Sequence, residues 1–392
     1  MAKLIEITGK ALSGEWGKDD ETGNGIPVLR TTNFTNEGVI DYNSVVTRTI
    51  TKKNIGEKFL RKGDIIIEKS GGSEKFPVGR VVYFDGDDNT YLFNNFTGLL
   101  RVKEPKIWYP RYVFYSLFAN YKRGGTRMFE NKTTGLHNLK TDDYVSRYEV
   151  TEIDMFEQVS VCDKLDRLYE IVNERKQQLE LLDELVKARF VEMFGDPVHN
   201  PYGWNKTELK ELADLKIGPF GSLLHKEDYI EGGHALVNPS HIVDGRIIID
   251  SKLTVSEDKY EELSAYHLKV GDVVMGRRGE MGRCAVVEEE GLLCGTGSLL
   301  IRPKGKVTAD YIQKIISYPT FKKTIDDMAV GQTMPNLNVP IVSGFRIITP
   351  PIEVQNSYYD FVAQVDKSKV AIQKSLDETQ ILFDSLMQKY FG

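Results

Sequence analysis

Apolar residues recur at alternating intervals of three and four positions in two long stretches of the chain, at 158–190 and again 197 residues further on. The repeating positions of the first stretch are Leu165, Leu168, Val172, Arg175, Leu179, Leu182, Val186 and Arg189. Those of the second stretch are Val362, Val365, Lys369, Ile372, Leu376, Thr379, Phe383 and Leu386. Six of the eight positions are apolar in each stretch. The pattern predicts the seam of a coiled coil over about four heptads; an ordinary amphipathic helix on a globular core is the alternative.

The matched register of the two stretches favours pairing of the two helices with each other. An antiparallel pair would relate the rest of the chain by an approximate twofold axis, although the spacing also allows a parallel pair. Each helix would be ~50 Å long at 1.5 Å per residue. The charged seam residues Arg175 and Lys369 would extend their ends to solvent or mark a contact with another subunit.

Outside these stretches, short β-branched runs alternate with turn residues. Runs such as DIIIE, RVVYF and DVVMG predict strands, and Gly63-Asp64 and Gly271-Asp272 predict turns that lead into two of them. Helices are predicted at 110–121 and 309–328. The predicted fold class is therefore α+β, with two similar mixed domains that are each followed by a long helix.

The same order of segments occurs twice along the chain. The matching pairs are LRKGDIIIEK (60–69) with LKVGDVVMGR (268–277), VGRVVYF (78–84) with MGRCAVV (281–287), FTGLLRV (96–102) with TGSLLIRP (296–303), HNL (137–139) with PNL (335–337), and Phe194-Gly195 with Phe391-Gly392. Five pairs in one order indicate an internal duplication. The predicted organisation is a first domain at 1–150, a helix at 151–197, a second domain at 198–350 and a closing helix at 351–392.

The chain carries a net charge of −6, which is unevenly distributed. Residues 151–195 contribute −5 and residues 353–392 contribute −2, so the remainder is close to neutral and does not exclude a nucleic-acid partner. No apolar run approaches the ~20 residues that span a bilayer. Three cysteines without CxxC spacing predict neither a disulfide framework nor a zinc site. We expect a cytoplasmic protein.

The sequence motifs of cofactor chemistry are missing. There is no GxxxxGK[ST] loop, no GxGxxG and no GxSxG, and the six histidines show no HExxH spacing. ITPPIEVQ (348–355) has the two prolines of an amino-methyltransferase loop but no aromatic residue after them, so it is predicted to lead into the second helix. We therefore expect a binding protein without catalytic residues, metal or cofactor of its own.

Four segments carry a resemblance to a known family. They are LLDELVKARFVEMFGDP (181–197), GDVVMGRRGEMGRCAVV (271–287), GQTMPNLNVPIVSGFRIITPPIEVQ (331–355) and FDSLMQKYFG (383–392). Together with the order of domain, helix, domain and helix, they resemble the specificity subunit of Type I restriction-modification systems over essentially the whole chain. The first half departs from the pattern, since Asp154-Met155 stands where Pro350-Pro351 would align.

The resemblance implies a non-catalytic DNA-binding subunit with two target recognition domains. Each domain would read one half of a bipartite sequence in double-stranded DNA, and the helices would set the spacing. The implied partners are two DNA adenine methyltransferase subunits that use S-adenosylmethionine, and restriction subunits that use ATP and Mg²⁺; no membrane partner is expected. Three alternatives stay open: a subunit of a related Type IIB or IIG enzyme, a fused or degenerate enzymatic component, and a coiled-coil scaffold that binds only protein.

The candidate DNA contacts of the second half lie in GRRGEMGR (276–283), directly after a predicted strand. Guanidinium groups can bind guanine or phosphate through two hydrogen bonds, and glycine lets the backbone approach closely. The candidates are Arg277, Arg278, Gly279, Glu280 and Arg283. Arg277 and Arg278 are predicted to read the second half-site, with a solvated hairpin as the alternative. Arg283 is predicted to contact a phosphate or to pair with an acid such as Glu280.

The equivalent stretch of the first half, EKSGGSEKFPVGR (68–80), replaces the arginines by lysine and small polar residues. Its candidates are Lys69, Ser70, Gly71, Gly72, Lys75 and Arg80, of which Arg80 corresponds to Arg283. A second polar cluster precedes each long helix, with the candidates Lys132, Thr133, Thr134, His137, Gln332, Thr333 and Asn336. An ordinary polar turn is the alternative for the second cluster. Because the side chains differ between the halves, the two half-sites are predicted to differ.

Overall fold

The computed structural model describes residues 1–133, 136–280, 282–328 and 336–392. The chain forms two compact units: unit 1 comprises Met1–Gln178 with Ile372–Gly392, and unit 2 comprises Leu179–Ala371. Both units contain strands and helices, which confirms the predicted α+β class. None of the described helices is long and apolar enough to cross a bilayer. Each long helix is divided between the units, so the four-segment organisation stays a prediction.

Unit 1 is built on antiparallel sheets. Its elements are β1 (Ala2–Lys3), α1 (Leu4–Thr8), β2 (Leu12–Ser13), β3 (Lys18–Asp19), β4 (Ile26–Leu29), β5 (Val46–Thr49), β6 (Ile65–Glu68), β7 (Ser70–Gly71), β8 (Val81–Tyr83), β9 (Leu92–Phe93), β10 (Thr97–Leu100), α2 (Pro110–Lys122), β11 (Glu130–Thr133), β12 (Leu136–Leu139), α3 (Thr141–Arg147), β13 (Glu149–Val150) and the start of the long helix α4 (Met155–Phe194). The sheet orders are β2-β10-β6-β8, β3-β5-β4-β9, β11-β12-β7 and β1-β13, and the β4-β9 pair is parallel. Strand β6 is buried on both faces: Ile65 and Ile67 face one core and Ile66 another, because successive side chains point to opposite sides.

Unit 2 repeats this plan. Its elements are β14 (Lys206–Glu208), α5 (Leu209–Leu212), β15 (Ala213–Ile217), β16 (Tyr229–Ile230), β17 (His234–Val237), β18 (Ile242–Val243), β19 (Arg246–Ile247), β20 (Thr254–Val255), α6 (Glu257–Glu262), β21 (Val273–Gly276), β22 (Cys284–Val286), β23 (Leu293–Cys294), β24 (Ser298–Pro303), α7 (Ala309–Ile316), α8 (Pro319–Met328), α9 (Val339–Ser343), β25 (Arg346–Ile348) and the start of the long helix α10 (Ile352–Phe391). The sheet orders β15-β24-β21-β22, β16-β20-β17-β23 and β14-β25 match β2-β10-β6-β8, β3-β5-β4-β9 and β1-β13 of unit 1. Among the described strands, β18-β19 of unit 2 and β11-β12-β7 of unit 1 have no counterpart. The duplication in the sequence is therefore a duplication of topology.

One helix prediction is wrong in extent. The pattern over 309–328 predicts a single helix, whereas the structure has α7 and α8 with a break between Ile316 and Pro319. Proline has no amide hydrogen to donate, and it disfavours a helical conformation of the residue before it. Pro319 therefore begins a new helix, where an amide hydrogen is not needed.

The two long helices pair in opposite directions. In unit 1 the start of α4 packs against the end of α10, with Leu165 in the same core as Phe383 and Phe391. In unit 2 the end of α4 packs against the start of α10, with Phe190 in the same core as Tyr358. The pair is antiparallel, which confirms the fold prediction. Every position of the predicted seam is buried or half-buried.

The charged seam positions bind neighbours within their own units. Arg175 donates a hydrogen bond to Gln178 at 2.7 Å, and Lys369 forms an ion pair with Asp183. The charged ends therefore stay at the edge of the seam, where polar side chains of the same helix pair receive them.

A buried glutamine lies in the first turn of each long helix. The side-chain oxygen of Gln158 accepts a hydrogen bond from the amide of Tyr109 at 2.8 Å, and its amide group donates to Ile107 O at 2.9 Å. The oxygen of Gln355 accepts from the amide of Thr308 at 3.1 Å. In both units this residue ties the long helix to the segment before α2 or α7.

The start of α4 compensates for the missing double proline with a cap. Asp154 precedes the helix, and its carboxylate accepts a hydrogen bond from the amide of Glu157 at 2.8 Å. A carboxylate at this position satisfies one of the free amide groups of the first turn and interacts favourably with the helix dipole. The helix therefore begins at Met155 without the prolines.

Candidate nucleic-acid interface

The first polar loop of each unit starts at a cation directly after the central strand. Lys69 follows β6 in unit 1, and Arg277 follows β21 in unit 2. The amide of Lys69 donates to Phe96 O at 2.8 Å, and that of Arg277 donates to Gly297 O at 3.1 Å. The two cations therefore occupy equivalent backbone positions.

In unit 1 the second polar cluster lies beside the first. The amide of Leu139 donates to Lys69 O at 2.8 Å. Strand β7 pairs with β12, which places Ser70 opposite Asn138 and Gly71 opposite His137. The structure thus brings together two candidate clusters that are far apart in the sequence. Lys132 and Thr133 lie in β11 of the same sheet, whereas Thr134 lies outside the described residues.

Unit 2 joins its clusters through equivalent contacts. The amide of Leu337 donates to Arg277 O at 2.9 Å, and Arg278 forms a β-bridge with Asn336. These are the counterparts of the Leu139 bond and of the Ser70–Asn138 pair. Gln332 and Thr333 lie outside the described residues.

The cations Lys69 and Arg277 are half-buried. Burial lowers the pKa of both side chains, and the neighbouring charge of Arg278 lowers the pKa of Arg277 further. Lys69 donates to Ser13 Oγ at 2.8 Å, and neither cation forms an ion pair with a described residue. Both are therefore partly desolvated charges that an incoming acceptor would stabilise.

In the rest of the loop in unit 2, some residues are exposed and others form ion pairs. Arg278 is exposed. Gly279 has a φ of +79° and open space around it, so its turn favours glycine. Glu280 forms ion pairs with Arg283 and, at 3.4 Å, with Lys322; the hydrogen bond from Arg283 is the main cause that lowers the pKa of Glu280. Arg283 thus has the ion-pair role that was one of its two predicted roles.

Arg80, the counterpart of Arg283, is held inside unit 1. Its guanidinium donates to Phe34 O at 2.8 Å and to Thr31 O at 2.9 Å, and it lies 3.2 Å from Glu68. Its side chain is 18% exposed, and burial raises the pKa of Glu68. Arg80 therefore supports the loop from behind and has little surface to offer a phosphate.

His137 also lies behind the surface. Its Nδ1 is 3.1 Å from a carboxylate oxygen of Glu130, and both side chains are buried. The other oxygen of Glu130 accepts a hydrogen bond from the amide of Val78 at 2.9 Å. His137 thus positions the loop between β7 and β8. Gly72 in that loop has a φ of +61°, and a Cβ there would lie 2.8 Å from Val78 N, so this position requires glycine.

A duplicated ion pair fixes the strand beneath each loop. Arg101 donates two hydrogen bonds to Asp64 at 2.8 and 2.6 Å, and Arg302 donates two to Asp272 at 2.8 and 2.6 Å. Both carboxylates are nearly completely buried. A bidentate pair of this kind fixes the relative orientation of the two side chains in addition to attracting them. The sequence pattern indicates neither pair, and it does not indicate Asn138, which corresponds to Asn336 in the repeat at an offset of 198.

The second half of the chain matches a known protein family. Residues 201–380 match the family described as the Type I restriction modification DNA specificity domain. Over 200 residues the chain is 26% identical to the "Putative type I restriction enzyme MjaX specificity subunit" of Methanocaldococcus jannaschii, a match that covers 49% of this chain and 46% of the relative. The chain therefore spans about half the length of the curated relative that it matches.

Solved structures show the same fold over the whole chain. The S subunit of the Type I restriction-modification system of M. genitalium aligns with a TM-score of 0.56 at 15% identity, covering 100% of this chain and 95% of that one. A second structure, described as the structural basis of complex assembly and conformational transition of the type I R-M system, aligns with a TM-score of 0.60 at 17% identity. The alignment covers 100% of this chain and 96% of that one. The predicted resemblance to the specificity subunits of Type I restriction-modification systems is confirmed by the family match over residues 201–380 and by the curated relative.

Proposed function

We propose that this chain is the DNA-reading subunit of a Type I restriction-modification complex, and that each unit reads one half of a bipartite target. One observation carries the proposal. In both units equivalent backbone hydrogen bonds join two polar loops around a half-buried cation, Lys69 in unit 1 and Arg277 in unit 2. Such cations at the end of a rigid strand are suited to bases and phosphates.

The two half-sites differ under this proposal. Arg277 and Arg278 present planar groups that can bind guanine O6 and N7 with two hydrogen bonds each. Lys69 and Ser70 present a point charge and a hydroxyl, which have less geometric selectivity. The target is therefore asymmetric, and unit 2 has the stronger preference for guanine.

We also propose that this chain binds methyltransferase and restriction subunits. Two DNA adenine methyltransferase subunits would supply S-adenosylmethionine chemistry, and restriction subunits would supply ATP- and Mg²⁺-dependent steps. The long helices offer surfaces for them, since Leu181, Val370 and Ile381 are exposed on their outer faces. Exposed apolar positions on a polar helix are typical of protein contacts.

The test is a genome-wide map of methylated adenines in the host. With the chain and its methyltransferase partner present, we expect methylation at a single bipartite motif, and without the chain we expect none at that motif. Arg278→Ala should relax one half of the motif and Lys69→Ala the other. Methylation that is unchanged by loss of the chain would contradict the proposal.

Two further results would favour the alternatives. Cleavage or methylation of DNA by the purified chain alone would favour an enzymatic component. Unchanged DNA binding of the assembled complex after Arg277→Ala and Arg278→Ala would favour a scaffold that binds only protein.

A further inference from the structure

Unit 1 has a basic groove beside its polar loop, with a volume of about 380 Å³. The groove lies between the loop that follows β7 and the residues that follow α2. Its cations are Lys75, Lys122, Arg123 and Arg127, and Phe76 and Asn36 also line it. No residue in its lining is acidic. Lys75 is a predicted DNA contact, whereas the other three cations come from a helix end that the sequence pattern left unassigned.

The groove keeps its shape through backbone contacts. The amide of Ser73 donates to Phe76 O at 2.6 Å, and the amide of Phe76 donates to Ser73 Oγ at 3.1 Å, which closes a tight turn. Arg127 donates to Glu74 O at 3.1 Å, and Arg123 donates to the carbonyl of Phe391. Both guanidinium groups are thus oriented by neutral carbonyls.

The charge of the groove is not neutralised by the part of unit 1 that the structure describes. None of its four cations forms an ion pair with a residue in 1–133, 136–178 or 372–392. Four positive charges around one concave surface attract an anion strongly, and the concave shape concentrates the field. A ligand with several phosphate groups meets this requirement better than a single carboxylate does.

The described residues of unit 2 do not form this arrangement at the equivalent place. There Glu280 lies between Arg283 and Lys322 and pairs with both. Its loop from Arg277 to Arg283 is also shorter than the loop from Lys69 to Arg80. In the part of the chain that the structure describes, the unneutralised groove therefore belongs to unit 1, and the repeat does not explain it.

We propose that this groove binds consecutive phosphates of duplex DNA next to the half-site that unit 1 reads. The inference rests on the proposed function, because Lys69 and Lys75 belong to one loop and a duplex on the reading loop would bring its backbone to the groove. The groove would bind every sequence equally and hold the DNA in register, since phosphate contacts carry no sequence information. Lys122 and Arg127 are positioning residues for base reading.

The experiment measures DNA affinity of the full chain against salt concentration. A fluorescein-labelled 30-base-pair duplex of mixed sequence is titrated by anisotropy with the wild type and with the double variant Lys122→Gln, Arg127→Gln. Each lost phosphate contact lowers the slope of log K against log salt by ~0.9, so we expect a decrease of about 1.8. The charge-preserving variant Lys122→Arg, Arg127→Lys should retain the wild-type slope, which separates charge from folding.

A matched control removes two exposed lysines of unit 1 outside the groove, Lys53→Gln and Lys106→Gln. An equal change of slope in this control would overturn the groove assignment, because net charge alone would then explain the effect. Displacement of the duplex by inorganic phosphate, but not by chloride at the same ionic strength, would assign the groove to a free anion instead.

The two proposals fail in different ways. If Arg278→Ala alters sequence preference while Lys122→Gln, Arg127→Gln leaves the salt slope unchanged, only the groove assignment is overturned. If the wild-type chain shows no salt-dependent binding to the duplex, the groove assignment fails, whereas the proposed function fails only if the methylation map does not depend on the chain.

Discussion

Units 1 and 2 share their sheets and differ in their loops. Three strand orders correspond between the units, and the Asp64–Arg101 and Asp272–Arg302 pairs have the same geometry. In the loop after the central strand, the two units share only the backbone contacts of the first two residues, Lys69-Ser70 or Arg277-Arg278. Beyond them, unit 1 has an open basic groove, whereas unit 2 has a charge-paired turn around Glu280. The sheets that form the cores are thus duplicated, whereas the loops that are proposed to recognise DNA have diverged.

The difference has a physical basis in burial. Residues behind the loops, such as Ile66 and Val274, are completely buried, and a change there would leave a cavity or a clash. Lys75 and Arg278 are exposed, and surface substitutions away from special features usually change stability by less than ~0.5 kcal/mol. The loops can therefore diverge while the sheets stay the same.

The largest expected effect concerns the aromatic ends of the long helices. Phe391 packs against Tyr112 in unit 1, with ring centroids 5.1 Å apart, and Phe194 packs against Tyr358 in unit 2 at 5.4 Å. We expect Phe391→Ala and Phe194→Ala each to destabilise its own unit by about 3–5 kcal/mol through the cavity that is left. Hydrogen exchange followed by mass spectrometry resolves the two units in one experiment.

The control is Phe156→Ala at a position that is 85% exposed, where little change is expected. Equal loss of protection in both units after either core substitution would show that the units do not unfold separately, and would remove the basis for comparing them.

The duplicated ion pair should contribute unequally to the two units. We expect Asp64→Asn and Asp272→Asn to lower the free energy of unfolding by about 2–3 kcal/mol, since each leaves a guanidinium without its charged partner. The effect should be larger for Asp64, because the Arg101 side chain is 21% exposed and that of Arg302 is 37% exposed. Urea denaturation of both variants measures the difference; a larger loss for Asp272→Asn would contradict the burial argument.

Exchange of the two equivalent cations should move sequence preference between the units. Under the proposed function, Arg277→Lys weakens guanine discrimination in one half-site by about 1–3 kcal/mol, and Lys69→Arg strengthens it in the other. Adenine methylation maps of the two variants report both halves of the motif. Arg283→Lys, which keeps the charge beside Glu280, is the control and should leave the motif unchanged.

The smallest expected effect is a pH dependence confined to unit 2. His234 Nε2 lies 2.9 Å from Glu257, and this hydrogen bond is the main cause that raises the pKa of His234. The folded state thus favours the protonated form. Its contribution is complete below the unfolded pKa of ~6.5 and is lost as pH rises through the higher folded pKa. We expect it to be at most about 1 kcal/mol, as for other partly exposed pairs.

The measurement compares thermal unfolding of the wild type and His234→Gln across neutral pH. The difference between them should shrink as pH rises. In unit 1 the register of β4 and β9 places Ile26 where β17 and β23 place His234, so the same titration should not affect unit 1. A difference that grows with pH would contradict the assigned direction of the pKa shift.

The features that sequence predicts here are the locally encoded ones. The seam positions follow from spacing within one helix, and runs such as Ile65–Ile67 indicate a strand by themselves. The order of segments, which is repeated in the two halves of the chain, then predicts two similar domains. The single helix predicted over 309–328 is wrong in extent, and Pro319 is the local signal of the break.

The features that sequence did not predict depend on contacts between distant segments. Ser70 and Asn138 are neighbours only because β7 pairs with β12. The role of Gln158 requires a buried position next to Tyr109, and nothing in the helical pattern distinguishes it from a solvent-facing glutamine. Lys122 and Arg127 look like ordinary charges near a helix end until the loop that contains Lys75 is placed beside them.

The composition of unit 1 has a consequence for biosynthesis. Its core includes Phe383, Met387 and Phe391, which come more than two hundred residues after its last strand, whereas unit 2 is one continuous segment. A ribosome that adds ~5–20 residues per second releases all the residues of unit 2 before those that complete unit 1. The second unit in the sequence is thus the first that can finish folding, and the nascent first unit exposes an apolar helix face until translation supplies its partner.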